Sequence, residues 1–312
     1  MSLKLAILVN LGTPESLEPR VIRAWLGEFL SDPRVVNLPR PLWLPLLYLF
    51  VLPFRPRRVQ EKYREIWQED SPLRLLTNSL AARVGTLLSA EDWEVRVAMT
   101  YGVPSLDTVL EDANTFERTV ILPLYPQYCG ATTGAIFDRV GRVLARQKVL
   151  PNIQLINSYF ERADYTAAIA AGLGKGAGDS HTVFSFHGTP VSQAIHESYE
   201  AHCHATAAAI AAAANLADGS WEVSFQSRFG PTAWLEPYTE DVLIRLGRAG
   251  RPVRVVCPGF AVDCLETLEE IDISYRAVYL DAGGTRFEYI PALNDSADHA
   301  ELLASVVRNG GT

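Results

Sequence analysis

Short apolar runs separated by helical stretches recur along the whole chain, and this alternation constrains the fold more than any other feature. The runs Lys4–Asn10, Glu94–Thr100, Thr119–Leu124, Ile153–Ile156, Thr182–Phe186, Glu222–Phe225, Val253–Cys257 and Phe287–Ile290 are rich in Val, Ile and Leu, and most do not alternate polar with apolar. A strand apolar on both faces is buried on both, as in a parallel sheet covered by helices. Between them, Pro19–Phe29, Asn78–Leu88, Gly134–Arg146, Ala201–Ala214 and Trp234–Leu246 read as helices. Repeated strand–helix units predict a doubly wound α/β architecture. The strands divide into two sets of four, which predicts two similar domains, 1–150 and 151–312. The join is expected near Gln147–Asn152, where a proline follows an apolar helix end.

The chain has 312 residues, 48% of them hydrophobic, enough for two modest cores. Its formal charge of −8 argues against nucleic acid as a partner. Cys129, Cys203, Cys257 and Cys264 are too few for a disulfide scaffold, so a reducing, cytoplasmic setting is expected. The opening MSLKLAILVN runs into a strand pattern without a cleavage signature, so no secretory signal is expected. Pro41–Phe54 carries no charge and is interrupted by prolines. It falls short of the roughly 20 apolar residues that span a bilayer. It reads either as a buried helix or as an exposed apolar lip. Arg34, Arg40, Arg55, Arg57, Arg58 and Lys62 flank it, as suits a membrane surface or an amphiphile with acidic tails.

Ligands of such folds sit at the carboxyl ends of strands, so the residues just after each strand carry most weight. Gly130 and Gly134 bracket a helix start that suits an anion, or simply capping by Thr132 or Thr133. The run Gly172–Gly178 follows a helix and lacks nucleotide-binding spacing, so it reads as a flexible turn. His187 leaves an apolar strand into Gly188-Thr189-Pro190, a position that points it into a cleft. Asp263, Glu266 and Glu270 follow the seventh strand at spacings that share one face of an α-helix. That face is either solvated or a path for a cation; imidazole with carboxylate oxygens suits ferrous iron or a similar ion. The aromatic-rich segment Ser224–Thr239, containing Trp234, suits a large flat ligand.

Taken together, these segments resemble the ferrochelatase family, in particular the branch found in many Gram-negative bacteria. The strings are VNLGTP at Val9–Pro14, EFLSDPRVV at Glu28–Val36, SPL at Ser71–Leu73 and LPLYPQY at Leu122–Tyr128. SFHG at Ser185–Gly188, FQSRFG at Phe225–Gly230 and WLEPYT at Trp234–Thr239 follow in family order. CPGFAVDCLETLEEI at Cys257–Ile271 and YIPALND at Tyr289–Asp295 complete the set. The resemblance implies the chelatase fold, with two Rossmann-like domains, each holding a four-stranded parallel sheet, and a porphyrin cleft between them. It implies that His187 is the catalytic imidazole and Glu266 its acidic partner, and that Leu11, Tyr101, Tyr125, Gln127, Tyr128 and Trp234 line the porphyrin site. His187, Glu266 and Glu270 are the expected metal-binding set. Fe2+ and porphyrin are then substrates, and the membrane contact is peripheral. No further cofactor is expected, and no iron–sulfur cluster, since no cysteine follows Cys264. Monomer and homodimer both remain open. Val191–Glu200 departs from the branch in being one residue short, whereas Cys264, where some branches have histidine, and Leu11, where others have tyrosine or methionine, are usual in it.

The implied reaction inserts Fe2+ into protoporphyrin IX to give protohaem, the final step of haem biosynthesis. Metalation removes two pyrrole protons and delivers a desolvated cation. An imidazole is a suitable acceptor near neutral pH, and a site that bends the macrocycle exposes its nitrogens. The rivals are a coproporphyrin-type or other tetrapyrrole chelatase and, from another class, a haem carrier without turnover.

Overall fold

The computed structural model describes residues 3–174, 178–194, 196–230 and 232–310, and divides them into two compact units. Unit 1 comprises residues 1–158 and 295–312, and unit 2 residues 159–294.

In unit 1 the strands are β1 (Lys4–Asn10), β2 (Trp93–Met99), β3 (Thr119–Pro123) and β4 (Ile153–Leu155), all parallel and ordered β2-β1-β3-β4. Leu5 to Val9 are fully buried, as expected of a central strand apolar on both faces. One face packs Leu5, Ile7 and Val9 with Ile121, Ile136 and Val140. The helices between them are α1 (Pro19–Leu30), α2 (Arg40–Leu46), α3 (Arg55–Ile66), α4 (Pro72–Leu88), α5 (Leu106–Val109) and α6 (Ala135–Leu144). A π-turn over Gly130–Gly134 leads into α6. Thr132 does not cap it as an acceptor: its hydroxyl donates to the Cys129 carbonyl.

Unit 2 repeats the plan: α7 (Ala163–Leu173), β5 (His181–His187), α8 (Val191–Ala194), α9 (Tyr199–Ala213), β6 (Trp221–Gln226), α10 (Thr239–Arg248), β7 (Val253–Val256), α11 (Arg276–Asp281) and β8 (Phe287–Ile290). Its sheet is also parallel throughout, in the order β6-β5-β7-β8. Val183, Val253 and Val255 form its core with Leu243, Leu246, Ile271 and Tyr279. The last helix, α12 (Ala297–Asn309), returns to unit 1, where Arg308 pairs with Glu91 and Ser79 donates to Asp295.

The division expected at 150/151 is therefore corrected at both ends. β4 hydrogen-bonds to β3 and closes the first sheet, and α12 buries Leu302, Leu303 and Val306 in unit 1. Strand pairing and apolar burial hold both segments there. Two helix expectations also change. The chain from Trp234 to Tyr238 is not helical, and α10 starts at Thr239. The stretch after Cys264 is a π-helix, Leu265–Tyr275, not an α-helix. Of the glycine run, Lys175, Gly176 and Ala177 lie outside the described residues, as do Ile195 and Pro231 of the segments discussed above.

The Pro41–Phe54 segment satisfies both of its readings at once. α2 continues into a π-turn over Leu47–Val51. Trp43, Leu47 and Leu52 pack on Ile22, Leu26 and Leu30, and the Trp43 indole N–H donates to the Leu30 carbonyl. Leu42, Leu46, Leu49, Phe50 and Phe54 stand exposed on the outside. Two of the flanking cations are engaged within the fold: Arg34 with Asp138, and Arg40 with the carbonyls of Ser31 and Val36.

Candidate active site

In a sheet of order β6-β5-β7-β8 the strand order reverses between β5 and β7, and such a switch point opens a crevice at the carboxyl ends of the strands. β5 ends on His187, whose ring is exposed although the six residues before it are buried. Its Nδ1 lies 2.7 Å from the Gly188 carbonyl. A carbonyl only accepts, so Nδ1 carries the proton and Nε2 keeps its lone pair. The turn has no room for a side chain at Gly188. A Cβ there would lie 2.8 Å from the Gln226 carbonyl and 3.2 Å from the Trp234 ring. Tyr199 of α9 donates to the His187 carbonyl at 2.9 Å, anchoring the strand end. Trp234 is half-buried, held where its segment pairs with the turn after His187: Leu235 N–H donates to Thr189, and Val191 N–H to Ala233. Its indole nitrogen is shielded from solvent with no hydrogen-bond partner among the described residues.

Beyond β7 the acidic run divides into separate roles. Asp263 lies before the π-helix and is 5% exposed. It accepts from the Thr267 hydroxyl, the Tyr289 phenol, the Ala292 N–H and the Asn294 amide. It is thus a structural carboxylate, which corrects the reading that set it on one face with Glu266 and Glu270. Glu269 is also buried and accepts from Ser274, and Asp272 pairs with Arg276. Glu266 and Glu270 remain half-exposed. The Glu266 carbonyl accepts from the Gln226 amide at 2.8 Å, and the buried Cys264 thiol stands two residues before it. Burial and then Glu266 raise that thiol well above its ordinary range. Glu270 accepts from Ser227 N–H at 2.9 Å and from the Tyr275 phenol at 3.0 Å. Burial raises the Glu270 carboxyl above its usual range, against the opposing pull of the Ser227 bond and the nearby His187.

His187 pairs in register with Gln226, and Gln226 and Ser227 hold the π-helix that carries Glu266 and Glu270, so the three lie at the same edge of this sheet. They do not form a closed cage. Among the described residues no group of three or more His, Cys, Asp or Glu side chains is arranged to hold an ion.

The unit 1 candidates are placed differently from one another. Leu11, Tyr125 and Tyr128 are half-buried after β1 and β3. Gln127 is 2% exposed, as is Tyr101, whose ring packs on Phe29 at 5.2 Å between centroids. Burial, with Asp32 alongside, raises the Tyr101 phenol. Tyr101 and Gln127 are thus buried, whereas Leu11, Tyr125 and Tyr128 are partly accessible. A groove of about 510 Å³ does open in this unit, lined by Thr13, Pro14, Val21, Trp25, Gly102 and Val103 among others. None of the expected lining residues borders it. The sequence signal for it is the VNLGTP string, whose last two residues form one wall. Ser227 and Tyr275 were also missed. Ser227 sits within FQSRFG, and Tyr275 is five residues from Glu270, a spacing that makes neighbours only in a π-helix.

Comparison with known proteins agrees with this geometry. The ferrochelatase family profile matches residues 5–310. A coproporphyrin III ferrochelatase of Streptococcus mutans is 43% identical over 310 residues, covering 96% of each chain. A ferrochelatase of Methylococcus capsulatus is 46% identical over 310 residues, covering 96% of this chain and 94% of the relative. Among solved structures, SirB from Bacillus subtilis shares the fold, with a TM-score of 0.59 at 10% identity, covering 99% of this chain and 96% of that one. The chain belongs to the ferrochelatase family, whose members insert a metal ion into a porphyrin.

Proposed function

We propose that this chain inserts Fe2+ into protoporphyrin IX to give protohaem, working in the cytoplasm with its lip against a membrane. The observation that carries the reading is the exposed His187 imidazole, its Nε2 lone pair free, beside the acidic π-helix. In the reaction Fe2+ enters, two pyrrole protons leave, and the macrocycle keeps its charge. His187 accepts a pyrrole proton at Nε2. Glu266 balances the imidazolium and receives the cation, and Glu270 carries it or the second proton onward. Trp234, beside the turn after His187, offers aromatic surface for the ring. On this reading the ion passes these side chains into the porphyrin and is not stored by them. The proposal includes no iron–sulfur cluster and no further cofactor.

Protoporphyrin carries vinyl groups where coproporphyrin carries further propionates. The uncharged lip supports the less charged substrate, since Leu42, Leu49 and Phe50 offer an apolar surface for delivery from a bilayer. Coproporphyrin III stands as the second reading, on the name of the streptococcal relative. The test is anaerobic metalation of each porphyrin, in competition, followed by absorption spectroscopy. Faster turnover of coproporphyrin overturns the substrate assignment. Tight retention of haem without turnover overturns the enzymatic one.

A further inference from the structure

The end of β6 carries two residues under the π-helix that the proposed chemistry does not use. Gln226 is 1% exposed and tied at both ends of its amide. Its oxygen accepts from the Ser185 hydroxyl at 2.7 Å, and its nitrogen donates to the Glu266 carbonyl at 2.8 Å. The next residue, Ser227, meets the same helix one turn on. Its backbone N–H donates to one oxygen of Glu270 at 2.9 Å, and its hydroxyl to the other at 2.5 Å. Ser227 has φ +64°, a left-handed conformation uncommon for a residue with a side chain. Such a conformation costs free energy and persists only where its surroundings enforce it. Here it turns two donors of one residue onto a single carboxylate. Tyr275 closes the third side at 3.0 Å. Ser227 from outside the helix and Tyr275 from its last position thus hold the Glu270 carboxylate from different sides.

We propose that Ser227 is a positioning residue for metal insertion. It holds the Glu270 carboxylate in one orientation toward the His187 side of the site, while Gln226 fixes the helix start that carries Glu266. This rests on the reading in which the cation passes Glu266 and Glu270. Ser227 itself touches neither iron nor porphyrin; it acts through Glu270.

The test uses Ser227→Gly, Ser227→Ala, Glu270→Gln and the double variant Ser227→Gly/Glu270→Gln, each assayed anaerobically with Fe2+ and porphyrin varied separately. Glycine keeps the N–H and adopts φ +64° without strain but lacks the hydroxyl. Ser227→Gly is expected to keep or raise the melting temperature while raising KM for Fe2+ about tenfold, the scale of one lost hydrogen bond to a charged group, with KM for porphyrin unchanged. Ser227→Ala should show the same KM shift at a lower melting temperature. On Glu270→Gln the glycine substitution should add no further change. A wild-type KM for Fe2+ in Ser227→Gly beside an impaired Glu270→Gln overturns the proposal. So does a double variant whose defects multiply, or a loss that tracks the melting temperature and raises both KM values alike. Wild-type behaviour of Glu270→Gln overturns instead the reading of Glu270 on which it rests.

Discussion

A charge placed on the lip separates its two faces. Full burial of a Leu or Phe side chain is worth about 1.5–3 kcal/mol. Phe50 is 63% exposed, so insertion into a bilayer interface can still gain about 1–2 kcal/mol from it. Phe50→Glu forfeits that gain, and since about 1.4 kcal/mol is a factor of ten, vesicle partitioning should weaken about tenfold. The fold should be nearly indifferent, because an exposed substitution changes stability by only about 0.5 kcal/mol. Leu47, by contrast, is fully buried against Ile22 and Leu26. Leu47→Glu loses the transfer free energy, leaves a cavity and strands a charge, a cost of about 3–5 kcal/mol. At about 2–4 °C per kcal/mol, its melting temperature should fall by about 10 °C. Trp43→Glu belongs with Leu47, since its indole N–H also loses the Leu30 carbonyl. Arg57 and Arg58 are exposed on α3 and should add a salt-sensitive part to binding, screened over about 8 Å at physiological ionic strength. The assay is co-sedimentation with anionic vesicles, with and without salt, beside a thermal melt and the KM for porphyrin. Wild-type vesicle binding by Phe50→Glu, or unfolding as severe as that of Leu47→Glu, would refute the lip as a membrane surface.

The remaining predictions concern the site and its supports. His187→Ala should fold normally and lose metalation by orders of magnitude; a purified variant that inserts iron at the wild-type rate removes the imidazole from the chemistry. Asp263→Ala should lower the melting temperature, since it strands buried donors at about 1–3 kcal/mol each, whereas Glu266→Gln should melt like wild type and lose activity. Thermal melts of the two variants, read beside their rates, check that split. Gly188→Ala should cost about 1–3 kcal/mol and most of the activity, because its Cβ meets the Gln226 carbonyl; a fully active variant refutes the packing of the His187 turn. Desolvation opposes ionisation of Glu222, but hydrogen bonds from His181 and Arg245 outweigh it and hold its carboxyl below the usual range. Its folded pKa is depressed, so it stabilises above the unfolded carboxylate pKa and that contribution is lost as pH falls through the folded value. Glu222→Gln should therefore flatten the acid limb of a stability–pH curve below about pH 4.5.

The strands were legible in the sequence because burial on both faces demands an apolar residue at nearly every position. β1 and β8 have the expected limits, and the other six differ by one residue at one or both ends. His187 and the acidic run were legible for the same reason: in a parallel sheet the chemistry collects where apolar strands stop. Strand order, the return of α12 to unit 1 and the membership of β4 depended on which surfaces meet in space, and no local pattern records that. The acidic run shows the limit most clearly. Spacing alone placed Asp263, Glu266 and Glu270 on one α-helical face. The chain instead adopts a π-helix, in which the pairs Glu269–Ser274 and Glu270–Tyr275, five residues apart, become neighbours. The helix starts only after Asp263 is locked by Tyr289 and Asn294 from distant segments. The sequence by itself determined which side chains were available to carry protons and metal. Tertiary contacts decided which carboxylates stayed free to do so, because a carboxylate's role is set by the donors around it, and most of those donors come from elsewhere in the chain.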